Sequence, residues 1–235
     1  MSFTPEVYAQ IREGAKRSAA EVVPLVFDLY NLPDARPLAT VVDVGGGEGW
    51  WAHEFAMHGC QCCVLDESVE EEHDTEDGVH FDHLALDTLD AQMVTVPPAG
   101  RYDLAVCLEV AEHVPDEFGQ NLVNGLCTLS DVILWSAAIP YQGGHGHINE
   151  QWPQWWADRF RIDHGLFASE VLRYEIWDDL SIEPWYRQNM LLYANEQWFE
   201  ERKITYTASP RSVVHPAIYN WRIEERDRLN KLLYP

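Results

Sequence analysis

Between residues 41 and 50 the chain reads Val41-Val42-Asp43-Val44-Gly45-Gly46-Gly47-Glu48-Gly49-Trp50, a β-branched run that empties into four glycines within five positions. Residues 38–44 have the composition of a buried strand. Glycine lacks a Cβ, so it accepts positive φ and lets another group approach the backbone closely. Residues 50–58 then read as a helix, whose first N–H groups lack intrahelical partners and can receive an anion. Strand, glycine turn and helix in that order define one βαβ unit whose turn is built to lie against a ligand.

The same alternation continues along the chain. Strands are expected at residues 62–65, 79–86, 102–108, 132–138, 171–177 and 190–194, with helical stretches between them. Residues 5–30 carry apolar positions at helical spacing (Val7, Ile11, Ala15, Ala19, Val22, Val23, Val26, Phe27), with Pro24 expected to kink or divide the helix. The acidic run at 67–78 reads as a solvated helix and loop. The expected fold is α/β, a seven-stranded, mostly parallel sheet with helices on both faces and an N-terminal helical cap. One domain is expected, with a cap at 1–37, a core at 38–195 and a C-terminal extension at 196–235. In such sheets ligands bind beyond the carboxyl ends of the strands, so residues that follow strands are the candidates for function.

The spacing of the turn separates two cofactor classes. A dinucleotide fingerprint needs Gly-x-Gly-x-x-Gly, and the position of its third glycine holds Trp50. The observed pattern is Gly45-x-Gly47-x-Gly49. The segment Asp43-Val44-Gly45-Gly46-Gly47-Glu48-Gly49 resembles motif I of class I S-adenosylmethionine-dependent methyltransferases, and later motifs fit in order over about residues 38–195. The resemblance implies a Rossmann-like core with an antiparallel last strand. It also implies cofactor contacts from Asp43, Gly45, Gly47 and Gly49, from Asp66 to the ribose hydroxyls, and from Asp87 near the adenine amino group. Arg101-Tyr102-Asp103-Leu104-Ala105-Val106-Cys107-Leu108-Glu109 resembles motif IV, which passes the methionine end of the cofactor. Gly46 departs from the Cys or Ser usual in the family and is expected only to loosen the loop.

Two histidine-bearing segments follow the fourth and fifth expected strands: Glu109-Val110-Ala111-Glu112-His113 and Gly143-Gly144-His145-Gly146-His147-Ile148-Asn149-Glu150. Methyl transfer to a hydroxyl or amine requires loss of a proton, and histidine titrates near neutral pH. His147 and His113 are the candidate catalytic bases, with His145 behind them. Glu109, Glu112, His113 and His147 also form a candidate donor set for a divalent cation. The Glu-x-x-Glu-His pattern resembles the Mg²⁺ site of small-RNA 2′-O-methyltransferases and ubiquinone-pathway O-methyltransferases. Metal-independent relatives carry a similar segment, so the metal stays open. Trp152, Trp155, Trp156 and Phe160 recur at helical spacing and read first as core, while Trp185-Tyr186-Arg187-Gln188-Asn189 offers pocket-forming groups.

Composition narrows the partners. With 16 Lys and Arg against 39 Asp and Glu, the net charge of −23 disfavours a nucleic-acid backbone and favours a small or cationic substrate. No apolar stretch is long enough for a membrane helix, and the N-terminal residues lack a signal-peptide core, which points to the cytoplasm. Five cysteines, an odd number, read as reduced, and Cys60, Cys62 and Cys63 as core. The expected activity is methyl transfer from S-adenosylmethionine to an oxygen or nitrogen of a small molecule. A nucleotide-binding oxidoreductase and a non-catalytic cofactor-binding subunit are the alternatives, and a homo-oligomer is left open.

Overall fold

A computed structural model describes residues 5–30, 36–84 and 100–233. Its centre is an eight-stranded sheet in the order β3-β4-β2-β1-β5-β6-β8-β7. The strands are β1 (Thr40–Val44), β2 (Gln61–Asp66), β3 (His73–Asp74), β4 (Val79–His83), β5 (Leu104–Leu108), β6 (Ile133–Ser136), β7 (Phe167–Ser169) and β8 (Leu191–Ala194). β4, β2, β1, β5 and β6 pair in parallel, whereas β8 runs antiparallel to both β6 and β7. Six of the seven expected strands are in place, β7 stands just before the expected position of the seventh, and the last strand, β8, is antiparallel as anticipated. The eighth is the two-residue β3 at the edge, antiparallel to β4.

Every residue of β1, β5, β6 and β8 is buried, because helices cover both faces. On one face α1 (Pro5–Tyr30), α2 (Trp50–Met57) and α5 (Val171–Ile176) enclose Val22, Val26, Phe55, Leu104, Leu172 and Ile176. On the other, α3 (Gly119–Leu129) and α4 (Pro153–His164) pack Leu122, Leu126, Trp156 and Phe160 onto Trp135 and Tyr193. In the tryptophan-rich stretch Trp156 and Phe160 are core, Trp155 packs half-buried against them and Trp152 is exposed: Phe160 stacks on Tyr193 at 4.2 Å between ring centroids, and Trp156 lies 5.0 Å from Trp135. Cys60, Cys62, Cys63 and Cys107 are buried, as expected of small apolar side chains, and burial pushes the thiols of Cys60 and Cys63 up to about 11.

Three local expectations need correction. Residues 171–176 form a helix rather than a strand, because Leu172 and Ile176, four apart, both face the core, and the strand lies just before at β7. The acidic stretch at 67–78 is not helical. It holds β3 and a reversal closed by Thr75 N–H to the Val79 carbonyl (2.9 Å) and Gly78 N–H to the Thr75 carbonyl (3.0 Å). Finally, α1 runs unbroken through Pro24. The proline cannot bond back toward Ala20, and Ala20 and Glu21 are exposed, so water can satisfy that turn. Among the described residues no helix is long and apolar enough to cross a membrane.

Helices flank β8 in sequence: α6 (Pro184–Asn189) precedes it, α7 (Glu196–Arg202) follows it, and α8 (Pro216–Leu233) ends the described chain. The aromatic stack below β8 gives a direct test. Phe160→Ala should cost about 3–5 kcal/mol in urea unfolding, because a fully buried ring loses two aromatic partners. A loss below about 1 kcal/mol would show that α4 is not anchored there.

Candidate active site at the carboxyl ends of the strands

β1 delivers the chain into the turn, and Gly45 N–H donates to the Leu65 carbonyl at 2.7 Å. Gly45, Gly47 and Gly49 take φ values of +74°, +54° and +76°, which side chains resist. At Gly45 and Gly49 space forbids them as well. A Cβ on Gly45 would sit 2.6 Å from Val110 Cγ2, and one on Gly49 2.6 Å from Phe81 Cζ. Gly46 is not simply loosened: its Cβ would lie 2.6 Å from the Asp43 carboxyl carbon, so the space of the family's usual side chain is filled by Asp43.

Asp43 is 2% exposed and its Oδ2 has no hydrogen-bond partner. Burial, with the nearby charge of Asp66 added, pushes its carboxyl up to about 7, while the Ala52 N–H of α2 opposes the shift. Asp66 ends β2 and braces the turn. Its Oδ2 accepts Gly47 N–H (2.8 Å), and its Oδ1 accepts the N–H (2.8 Å) and hydroxyl (2.6 Å) of Ser68. Asp87 lies outside the described residues.

Glu109 leaves β5 at φ +55°, a conformation uncommon for a non-glycine residue. Its N–H is fixed by the Ser136 carbonyl (2.9 Å). Its carboxyl accepts Asn189 Nδ2 (3.0 Å) and Gln142 Nε2 (3.3 Å), while burial raises its pKa. Gln188 extends the chain of amides: Nε2 donates to Gln142 Oε1 (2.7 Å), and Oε1 accepts the His215 N–H at the start of α8 (2.8 Å).

Glu112 is fully buried, and neither carboxylate oxygen has a partner. Burial and the neighbouring Glu109 push its pKa well up. His147 Nε2 lies 3.9 Å from Glu112 Oε1, and the His113 and His147 rings meet edge to face at 4.9 Å. His113 bonds the Gly146 carbonyl at 3.3 Å, and burial lowers its pKa to about 4. Glu150 organises the loop. Its carboxylate accepts Gly143 N–H (2.6 Å) and Tyr141 N–H (2.7 Å) and lies 2.9 Å from His147 Nδ1, which fixes the ring with Nε2 turned away from Glu150.

One cleft of about 620 Å³ is lined by Asp43, Gly45, Gly47, Asp66, Glu109, His113 and His147 together. Gly49 and Glu112 lie behind its surface. Among the described residues, Glu112, His113 and His147 present ligand atoms within 4.8 Å of one another, whereas Glu109 is committed to the amides. α1 roofs the turn: the Arg12 guanidinium forks onto Glu48, which also accepts Trp50 Nε1–H (3.0 Å).

The sequence matches the profile of a methyltransferase domain over residues 13–173. The chain belongs to that methyltransferase family. It is 26% identical over 198 residues to a ubiquinone biosynthesis O-methyltransferase of Rickettsia conorii, covering 78% of this chain and 64% of that protein. It is 32% identical over 116 residues to one of Chromobacterium violaceum, covering 46% and 47%. The matched stretches thus span less than two thirds of these relatives. Among solved structures, magnesium protoporphyrin IX methyltransferase from Synechocystis PCC 6803, with bound SAH, matches with a TM-score of 0.55 at 18% identity, covering 83% of this chain and 90% of that one. That likeness establishes the shared fold.

Sequence reasoning missed Glu150, which acts locally through His147, and Gln142 and the α8 residues Trp221, Arg222 and Glu225, which long-range packing places at the cleft. The acid three residues after His147 was the one local signal. Asp43 offers a test with a defined sign. Its folded pKa is raised, so its contribution to stability is lost as pH rises from the unfolded value near 4 to about 7. Asp43→Asn should raise the apo melting temperature more at pH 8 than at pH 5, by about 2–4 °C per kcal/mol recovered. An equal change at both pH values would refute the buried, uncompensated carboxylate.

Proposed function

We propose that this protein transfers the methyl group of S-adenosylmethionine to an oxygen or nitrogen of a small molecule. The observation that carries the reading is that the glycine turn, Asp66, Glu109 and the Glu150-held His147 meet in one cleft. In this reading Gly45 and Gly47 give the cofactor backbone to lie on, and Asp66 accepts from the ribose hydroxyls. The orphaned Asp43 carboxylate and Glu109 face the cationic methionine end, and an acid-lined cleft attracts a sulfonium. The acceptor lone pair attacks the methyl carbon while the carbon–sulfur bond breaks toward sulfur, releasing S-adenosylhomocysteine. His147 Nε2 takes the acceptor's proton, and Glu150 holds the ring in position. Alignment of acceptor, methyl and sulfur is the main contribution of the walls. The relatives act in ubiquinone biosynthesis by name, which favours an oxygen acceptor here.

One observation favours a second reading of the same wall. The unpartnered Glu112 carboxylate with His113 and His147 fits a divalent cation. Two imidazoles and one carboxylate suit Mn²⁺ or Zn²⁺ better than Mg²⁺, which prefers oxygen ligands. Such an ion would hold an acceptor oxygen and lower its pKa.

On the first reading His147→Ala should lower kcat/KM at least about 100-fold while S-adenosylhomocysteine affinity stays within about threefold. Near-wild-type turnover would overturn the base assignment. EDTA should leave methylation by the isolated chain unchanged, and loss restored by Mn²⁺ would establish the second reading instead. No methylation of any acceptor by the isolated chain would favour a partner-subunit role.

A further inference from the structure

The cleft carries six carboxylates near or beside the turn and its far wall: Asp43, Glu48, Asp66, Glu67, Glu109 and Glu225. Among the described residues Arg222 is the only Lys or Arg lining it. Resting on the methyltransferase reading, we propose that Arg222 recognises a carboxylate on the methyl acceptor, so that the substrate is a small aromatic acid.

Position supports this. α8 begins at a fixed point, because the His215 N–H is held by Gln188 and His215 Nε2 by the Trp177 carbonyl at 2.9 Å. Ile218 is buried one turn later, which points Trp221, Arg222 and Glu225 at the cleft. The guanidinium rests on the backbone of Gly143, where a Cβ would sit 2.7 Å from Nη1. Gly143 also takes φ +69°, so both space and backbone keep that position free of a side chain. The next residue, Gly144, packs in the same way against His147 Nε2. Neighbouring residues of one loop thus back the cation and the candidate base, and both line the same cleft.

Chemistry supports it too. Among the described residues Arg222 pairs with Glu225, three residues on along an exposed helix, with side-chain exposures of 40% and 33%. Such a pair is weak and yields readily to a bidentate ligand. Trp185, Tyr186 and Trp221 line the same cleft and supply flat apolar walls suited to a ring. The overall charge of −23 repels a free anion at long range, but screening confines that effect to about 10 Å, and within the cleft the local cation decides. A carboxylate could also come from the cofactor's methionine end, so the test separates the two sources.

The experiment measures affinities of the S-adenosylhomocysteine-loaded protein for 3,4-dihydroxybenzoate and 3,4-dihydroxybenzamide by calorimetry. The acid should bind at least tenfold tighter than the amide. In Arg222→Gln that preference should vanish, in Arg222→Lys it should survive in part, and in Glu225→Gln the acid should bind more tightly than in wild type. Affinity for S-adenosylhomocysteine should stay within twofold in all variants. Equal binding of acid and amide, binding of neither, or a preference that persists in Arg222→Gln would overturn the proposal. A tenfold loss of S-adenosylhomocysteine affinity in Arg222→Gln would overturn it in favour of the cofactor's carboxylate. Failure of the wild-type protein to bind S-adenosylhomocysteine at all would instead refute the methyltransferase reading itself.

Discussion

The site depends on one backbone constraint. Between Val44 and Trp50 the chain passes through three positive-φ positions, and Val110, Asp43 and Phe81 occupy the volumes that side chains would need. The turn is thereby pressed against the ends of β2, β4 and β5 at once. Its N–H groups at Gly45 and Gly47 bond to Leu65 and Asp66, so the second strand's terminal acid is oriented by the first strand's turn. Parallel register does the rest: Val44 pairs with Leu65 and Asp43 with Val106, which brings Asp66 and Glu109 to the same edge of the sheet.

A chain this acidic must then manage negative charge inside its own cleft. It does so in three ways. Glu109 is surrounded by amide donors from Gln142 and Asn189, and Asp66 by backbone and hydroxyl donors. Asp43 and Glu112 are left without full compensation, and burial raises the pKa of both. Uncompensated buried carboxyls cost stability, and groups of that kind concentrate where a cation or a reacting group is received. The loop that carries His147 is disciplined by a single carboxylate, Glu150, which spends its two oxygens on two backbone N–H groups and the imidazole.

What was legible in the sequence is what local chemistry dictates. Gly45, Gly47 and Gly49 announce their φ values, and the runs around Val42, Val64 and Val106 announce buried parallel strands. The acids that follow them announce the ligand edge. What was not legible depends on contacts across the fold. Residues 171–176 look strand-like until Leu172 and Ile176 are seen to share one buried face. Gln142, Gln188 and Asn189 read as ordinary polar residues, and only the packing of α6 beside β6 turns them into the cradle of Glu109. The α8 wall of the cleft is likewise a product of where His215 is pinned, more than forty residues from the loop it faces.

The central claim is that the glycine turn receives a sulfonium nucleoside and not a nicotinamide dinucleotide. Calorimetric titration of the purified protein with S-adenosylhomocysteine, with NAD⁺ and NADPH run in parallel, tests it most directly. The account predicts one S-adenosylhomocysteine bound per chain and no heat from either dinucleotide. Dinucleotide binding at the same site, displaced by neither S-adenosylmethionine nor S-adenosylhomocysteine, would contradict it.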